Sequence, residues 1–237
     1  MTYEETQKPT TIAVLDHGLV RLVDHMGDDL SVVRAARVSH DAAWRAGEDT
    51  GSDERLIRYL WRNKHTSPFE HVTFTFEVKT PIFVLRQWMR HRTWAYNEVS
   101  ARYQEVEADE FYMPEAIVVG QQATSNKQGR KHDPLDAEHA GFLKNDLRAY
   151  RSTCDEAFRR YHDLLERGWP RELARCVLPV AAYSHMFATV NLLNLMRFLT
   201  LRCDLHAQHE IRVYAEALRT LAYEVAPVCM AAWEAES

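Results

Sequence analysis

Between Arg86 and Arg102 the chain carries four arginines and one histidine, in RQWMRHRTWAYNEVSAR, against a single acid, Glu98. It does so although its formal net charge is -5. Arg90, His91 and Arg92 are consecutive, and Ser100 and Arg102 follow within ten residues. A guanidinium is planar and presents a fork of donors, which suits bidentate recognition of phosphate or carboxylate. The stretch therefore reads as an anion site. A short local cluster suits one small anionic ligand, a nucleotide, better than a polyanion. A sequence pI of about 6.2 argues against a generally basic nucleic-acid surface.

Other residue types offer other chemistries. Ser100 as a nucleophile lacks an activating base at a recognisable spacing. His206 and His209 stand three apart, and His65 and His71 flank a Ser-Pro turn, but no further ligand set completes a metal site, so no metal is expected. None of the four cysteines, Cys154, Cys176, Cys203 and Cys229, forms C-x-x-C. Cys176 follows Arg175 and Cys203 follows Arg202, a setting that would favour a thiolate. Both sit in apolar helical patterns, however, and burial in a reducing compartment is expected for all four. The KQGRK run at 127–131 reads as an RNA-contact loop or a solvated surface loop, and composition favours the second.

The elements that must position these residues follow from periodicity. Ile12 to Val23 suggests a strand pair, or a strand and a turn, around Gly18. Asp29 or Ser31 is expected to cap a helix through SVVRAARVS, and Ser52 or Asp53 one through ERLIRYLWRN, with residues 40–52 as a loop. HVTFTFEVKT alternates, with Val72, Phe74, Phe76 and Val78 on one side, and predicts a strand. Pro81 then opens a predicted helix running to Arg92, which would set Arg86 and Arg90 one turn apart. A short strand near EFYMP follows, then a polar loop or insertion at 120–145. The remainder is expected to be mostly helical: Leu147 to Arg167, Pro170 to Leu178, Asn191 to Arg202, and Leu205 to Ala226.

The spacing Arg90-His91-Arg92, seven residues, Ser100 resembles the signature of the flavin-dependent thymidylate synthases, the ThyX family. HTSPFEHVTFTFEV (65–78), PRELARCVLP (170–179), LRCDLHAQHEIR (201–212) and the early ARVSH (36–40) resemble further blocks of that family, in family order. The resemblance implies an α+β fold, an antiparallel sheet flanked by helices. It implies reductive methylation of dUMP to dTMP, with methylenetetrahydrofolate as carbon donor and NADPH-reduced FAD as hydride donor. Arg202 is implied as the catalytic cation that activates the pyrimidine. Gln87, Arg90, Glu98, Ser100, Arg102 and Arg175 are implied, with Arg202, as the dUMP site. Ser67, Arg90, His91, Arg92, Glu98, Asn191 and Arg197 are implied as FAD contacts. Relatives are homotetramers with active sites at subunit interfaces.

Two positions depart from the family pattern. Leu193 stands where many relatives have the arginine of an Asn-x-Arg element, and Arg197 where some have Asn or His. At helical spacing Arg197 is expected to point away from Asn191. Without the resemblance, Arg202 reads as a surface arginine paired with Asp204 or Glu210.

Composition sets the outer bounds. The 237 residues, 46% of them apolar, are expected to form a single domain, 1–237, behind a loose tail at 1–10. No apolar run approaches the roughly 18–20 residues needed to span a bilayer. The polar start, MTYEETQKPT, lacks the core of a secretion signal, so a cytoplasmic enzyme without membrane or nucleic-acid partners is expected. Two rivals use the same residues: a nucleotide- or RNA-binding protein without catalysis, and a thymidylate synthase that relies on a cysteine nucleophile.

Overall fold

Residues 11–106, 109–124, 129–131 and 137–236 are described in this computed structural model, and the expected tail at 1–10 lies outside them. β1 (Thr11–Val14) and β2 (Gly18–Met26) form the expected N-terminal pair. Gly18 is required there, because a Cβ would fall on the Tyr214 hydroxyl and the Val14 carbonyl. That close approach lets Tyr214 donate to the Lys79 carbonyl at 2.7 Å. β3 (Thr73–Pro81) pairs with β2 and alternates as its sequence demands. Phe74, Phe76 and Val78 are fully buried.

Two further strands complete the sheet, and neither was expected from the sequence pattern. They are β4 (Ala95–Glu98) and β7 (Tyr183–Asn191), giving the order β1-β2-β3-β7-β4 with every pair antiparallel. The expectation of a mostly helical second half is thus corrected at 183–191. In YSHMFATVN the inward side holds Met186, Ala188 and Val190 while the outward side holds Phe187, so apolar alternation is blurred. Pairing with β3 along the whole strand, Tyr183 opposite Pro81 and Asn191 opposite Thr73, supplies what the local pattern lacks. The expected strand near EFYMP is reduced to one bridge, Phe111 to Ala182.

The helices carry several corrected boundaries. α1 (Asp29–Arg37) is capped by Asp28, and α2 (Thr50–Arg62) by Asp49, each accepting a backbone N–H at 3.0 Å. Of the expected caps, Ser31 and Ser52 supply the N–H groups that Asp28 and Asp49 accept, while Asp29 and Asp53 have other partners. Asp29 accepts from Val228 and Cys229 N–H, both at 2.9 Å, and so caps α9 (Pro227–Glu234) across the core. Asp53 is buried, ion-paired with Arg37 and bound to the Gly47 N–H at 2.7 Å. Residues 43–45 form a 3-10 turn inside the expected loop.

α3 (Ile82–Trp88) ends four residues before the expected Arg92. Arg86 and Arg90 at i,i+4 repel each other with no acid between them. The Trp88 and His91 carbonyls both receive the Tyr96 hydroxyl, at 3.0 and 2.9 Å, and Trp94 turns back into the core. Arg90, His91 and Arg92 therefore lie in a turn rather than on a helix.

The expected loop at 120–145 is also corrected. Beyond α4 (Ala116–Val119), Gln121–Gln122 (β5) pair with Arg130–Lys131 (β6), and α5 (Ala137–Glu166) begins well before Leu147. Residues 125–128 and 132–136 of that segment lie outside the described ones. α6 (Arg171–Ala174) runs into a 3-10 turn at Arg175–Val177. α7 (Leu192–Arg202) follows β7 directly, and α8 (His209–Val225) starts four residues later than Leu205.

The fold is α+β. α7 and α8 pack under one face of the sheet with Leu192, Leu195, Met196, Phe198, Tyr214 and Leu218 fully buried. α7 leaves the Thr73–Asn191 end of the sheet and runs back toward the Pro81–Tyr183 end. Eleven residues carry its axis about 16 Å.

Candidate active site

At the Pro81–Tyr183 end, three of the expected residues meet. The Arg202 Nε donates to His91 Nε2 at 3.0 Å, and its terminal nitrogen approaches the Gln87 carbonyl at 3.4 Å. These come from the end of α7, the turn after α3, and α3 itself. The His91 ring packs edge-on against Phe198 at 4.7 Å between centroids. Burial first, and the Arg202 charge second, push the His91 pKa down to about 4. The imidazole is thus neutral near pH 7 and can accept the guanidinium hydrogen bond. Burial also lowers the Arg202 pKa, yet a guanidinium stays charged near neutrality. The result is a fixed, half-buried cation.

The surface pairing of Arg202 with Asp204 or Glu210, its reading without the family resemblance, does not occur. Asp204 instead binds His206, through its backbone N–H at 2.7 Å and its ring at 2.9 Å. Glu210 is taken by Arg130 at 2.6 Å. Arg130 belongs to the KQGRK run, so the expectation of a freely solvated run is corrected at that residue.

A second group forms a rim at the same end of the sheet. Glu98 accepts from the Ser184 hydroxyl at 2.6 Å, and the Val99 N–H donates to the His185 carbonyl at 2.8 Å. Ser100 sits in the turn that follows, its Oγ 3.3 Å from the Arg102 N–H. Arg102 reaches the Glu172 carboxylate at 3.7 Å, while Arg175 donates to the Glu172 carbonyl at 3.4 Å. Glu172 thus gathers the two arginines. Glu98, Arg175 and Arg86 line one cavity of about 670 Å³ between β4, β7 and the 3-10 turn that follows α6. Arg90 and Arg92 are exposed and make no side-chain hydrogen bond or ion pair with another described residue.

Three expected flavin contacts lie elsewhere. Asn191 is the N-cap of α7, accepting from the Asn194 N–H at 3.0 Å. Asn194 donates from its side chain to Asn191 at 2.8 Å and accepts from Arg197 at 3.2 Å. Arg197, expected to point away from Asn191, is therefore tied to it through Asn194. Ser67 opens the 3-10 turn Ser67–His71 that leads into β3 at this same end. The seven-residue step along β7 from Asn191 to Ser184 spans about 23 Å. Within one chain the Ser67–Asn191–Arg197 group and the rim stand at opposite ends of the sheet. Leu193 is only 2% exposed and packs in the main core.

The expectation of four buried thiols holds for Cys154 and Cys229 alone. Cys203 is half-buried, and burial, acting among nearby charges of both signs, raises its pKa to about 11. Cys176 is exposed, because α6 breaks off at Ala174 and turns the thiol outward beside the cavity. His65 is exposed and stacks edge-on to Tyr59, and His206 is 88% exposed. No group of three or more metal-ligating side chains occurs among the described residues.

Sequence reasoning missed Tyr96, Ser184, Glu172, Gln208 and Glu210. Gln208 and Glu210 lay in plain view within LRCDLHAQHEIR. Tyr96 and Glu172 were equally in view, within RHRTWAYNEVSAR and PRELARCVLP, whereas Ser184 has no local signal because its partner Glu98 lies on another strand.

A family profile described as "Thymidylate synthase complementing protein" matches residues 21–228. A flavin-dependent thymidylate synthase of Treponema denticola is 44% identical over 222 residues, 93% of this chain and 80% of that protein. One from Thermus thermophilus is 47% identical over 226 residues, 95% of this chain and 79% of that protein. Among solved structures, the UMP/dUMP methylase PolB from Streptomyces cacaoi, bound with 5-Br dUMP, superposes with a TM-score of 0.81 at 40% identity. That match covers 94% of this chain and 97% of the other.

Proposed function

This chain belongs to the flavin-dependent thymidylate synthases, the thymidylate synthase complementing family, and from that membership we propose that it methylates C5 of dUMP to give dTMP. The observation that carries the reading is the Arg202 guanidinium, held half-buried by neutral His91 and the Gln87 carbonyl. Uracil C5 becomes nucleophilic when charge on the N3–C4–O4 edge is stabilised. A fixed cation in a partly desolvated site does this at no cost of reorganisation.

The remaining residues take binding roles. Arg102 and Arg175, gathered around Glu172, and Ser100, beside the Arg102 N–H, hold the nucleotide phosphate by charge-assisted and hydroxyl bonds. Arg90 adds a guanidinium from the turn, Gln87 faces the base, and Glu98, fixed by Ser184, faces the sugar and the cofactor.

The same turn fits a flavin dinucleotide. Exposed, unpartnered Arg90 and Arg92 suit its pyrophosphate, and the neutral His91 ring suits an edge contact. Ser67, Asn191 and Arg197 supply further donors and acceptors. We take the flavin as FAD. When bound and reduced by NADPH it supplies the hydride, while methylenetetrahydrofolate supplies only the carbon. The Asn191 group lies about 23 Å along β7 from the Glu98–Ser184 rim, so the rim of one chain meets the Asn191 group of another. This supports a homotetramer with active sites between copies, each copy one domain. The free thiols fit the reducing cytoplasm.

The test is conversion of dUMP to dTMP by purified protein with FAD, NADPH and methylenetetrahydrofolate, each omitted in turn. Product that needs all three and leaves tetrahydrofolate is expected. Product formed without flavin, together with dihydrofolate, would transfer the reaction to a cysteine route. Exposed Cys176 beside Arg175 would then be the nucleophile to examine.

A further inference from the structure

Glu210 is 2% exposed and stands in the first turn of α8. Its carboxylate receives Arg130 on both oxygens at 2.6 Å, the Tyr112 hydroxyl at 3.1 Å and the Gln208 side-chain amide at 2.8 Å. Arg130 also donates to the Val118 carbonyl, which fastens the β5–β6 hairpin over this point. Burial works against the charge of Glu210, but the Arg130 bonds and charge outweigh it and hold the pKa low.

An ionised carboxylate only accepts hydrogen bonds. Gln208 must therefore turn its Nε2 toward Glu210, which leaves its Oε1 facing the other way. That oxygen meets the Gln87 Nε2. Gln87 in turn has its own Oε1 directed away from Gln208, accepting from no described residue. The orientation of each amide is dictated by the one before it, starting from a buried charge. The Gln87 carbonyl at the same residue contacts Arg202.

We propose that Arg130, Glu210 and Gln208 form a polarity relay that fixes the Gln87 amide so that its Oε1 faces the N3–H of a uracil ring. The inference rests on the dUMP reading above and adds a source of base selectivity to it. Uracil presents N3–H as a donor between two carbonyl acceptors. Cytosine presents N3 as an acceptor beside an amino group. A locked Gln87 oxygen bonds the first and opposes the second with a lone pair. An unlocked amide rotates and offers Nε2 to cytosine instead. Gln208 and Glu210 are positioning residues in this scheme, and Gln87 is the member of the relay that touches the base.

Gln208→Met keeps the side-chain length, breaks the relay and leaves the Arg130–Glu210 pair in place. Affinities of FAD-loaded protein for dUMP and for dCMP would be measured by titration calorimetry, for wild type, Gln208→Met, Gln87→Ala and the double variant. The ratio of dUMP to dCMP affinity is expected to fall about tenfold in Gln208→Met, the size of one lost polar discrimination. On the Gln87→Ala background Gln208→Met should change that ratio by less than about twofold, because the relay then ends on nothing. An unmoved ratio in Gln208→Met, or an equal fall on both backgrounds, would overturn the proposal. Wild-type protein that binds no dUMP would sink the functional reading and this inference together; binding with an unmoved ratio sinks only the inference.

Discussion

The two ends of the β3–β7 ladder solve different problems. At the Pro81–Tyr183 end, polar side chains arrive from α3, its following turn, α7 and α8, and hold one another. Arg202 has His91 and Gln87, Gln87 has Gln208, and Gln208 has Glu210. At the Thr73–Asn191 end, the chain Asn191–Asn194–Arg197 follows a single helix face at three-residue steps and closes on itself. The first end is preorganised by tertiary contacts and the second by local helix geometry. A group that must stabilise developing charge gains from rigidity before the reaction. A group that only grips a ligand does not need it to the same degree.

Removing Arg202 tests the contrast most severely. Arg202→Ala should lower kcat by about 10²–10³-fold, the usual scale for one lost charge-stabilising donor. Flavin binding, read from absorbance of the purified protein, should survive. If kcat fell by less than about tenfold, the cation would not act on the pyrimidine and the contrast between the two ends would collapse.

Asn191→Ala strikes the other end. Loss of the N-cap should cost about 1 kcal/mol of stability, and a lost flavin contact should weaken flavin binding about tenfold. Affinity for dUMP should stay within about threefold. Thermal melts and equilibrium dialysis separate these effects, and an equal loss of both ligands would show that the two ends are not independent.

The pH response of His91 sharpens the comparison from within the first end. Its folded pKa, near 4, lies below the ordinary value of 6.5. The unfolded chain therefore binds the proton more readily between those values. The stability contribution of neutral His91 is fully present above pH 6.5 and is lost as the pH falls toward 4. Urea unfolding of wild type should weaken from pH 7 to pH 5, and His91→Gln should flatten part of that slope. A wild-type imidazole titrating near 6.5 by NMR would show that burial and Arg202 do not act on it.

Cys176→Ala carries the smallest expected effect. Although exposed beside Arg175, Cys176 donates, among the described residues, to the Glu172 carbonyl at 3.6 Å. Turnover should stay within about twofold, on the scale of surface substitutions. Abolished turnover would move the chemistry from Arg202 to the thiol.

The sequence alone determined those features whose cause is local. The alternation of Val72 to Val78 placed β3 correctly because one face of a strand must be buried. The spacing of Arg90, His91, Arg92 and Ser100 located the segment that carries the candidate site, although it was expected to be helical and is a turn. The helix expected over Asn191 to Arg202 matches α7, with Arg202 at its end. Only the tertiary structure decided the remainder. β7 became a strand because β3 offered a full row of backbone partners. α3 stopped at Trp88 because Tyr96 took its carbonyl. Asp29 and Asp53 were drawn from their own helices to α9 and Arg37. Arg202 escaped Asp204 and Glu210 because His206 and Arg130 reached them first. A carboxylate or a carbonyl binds whichever donor the fold brings within about 3 Å, and for these residues that donor lay on a distant element.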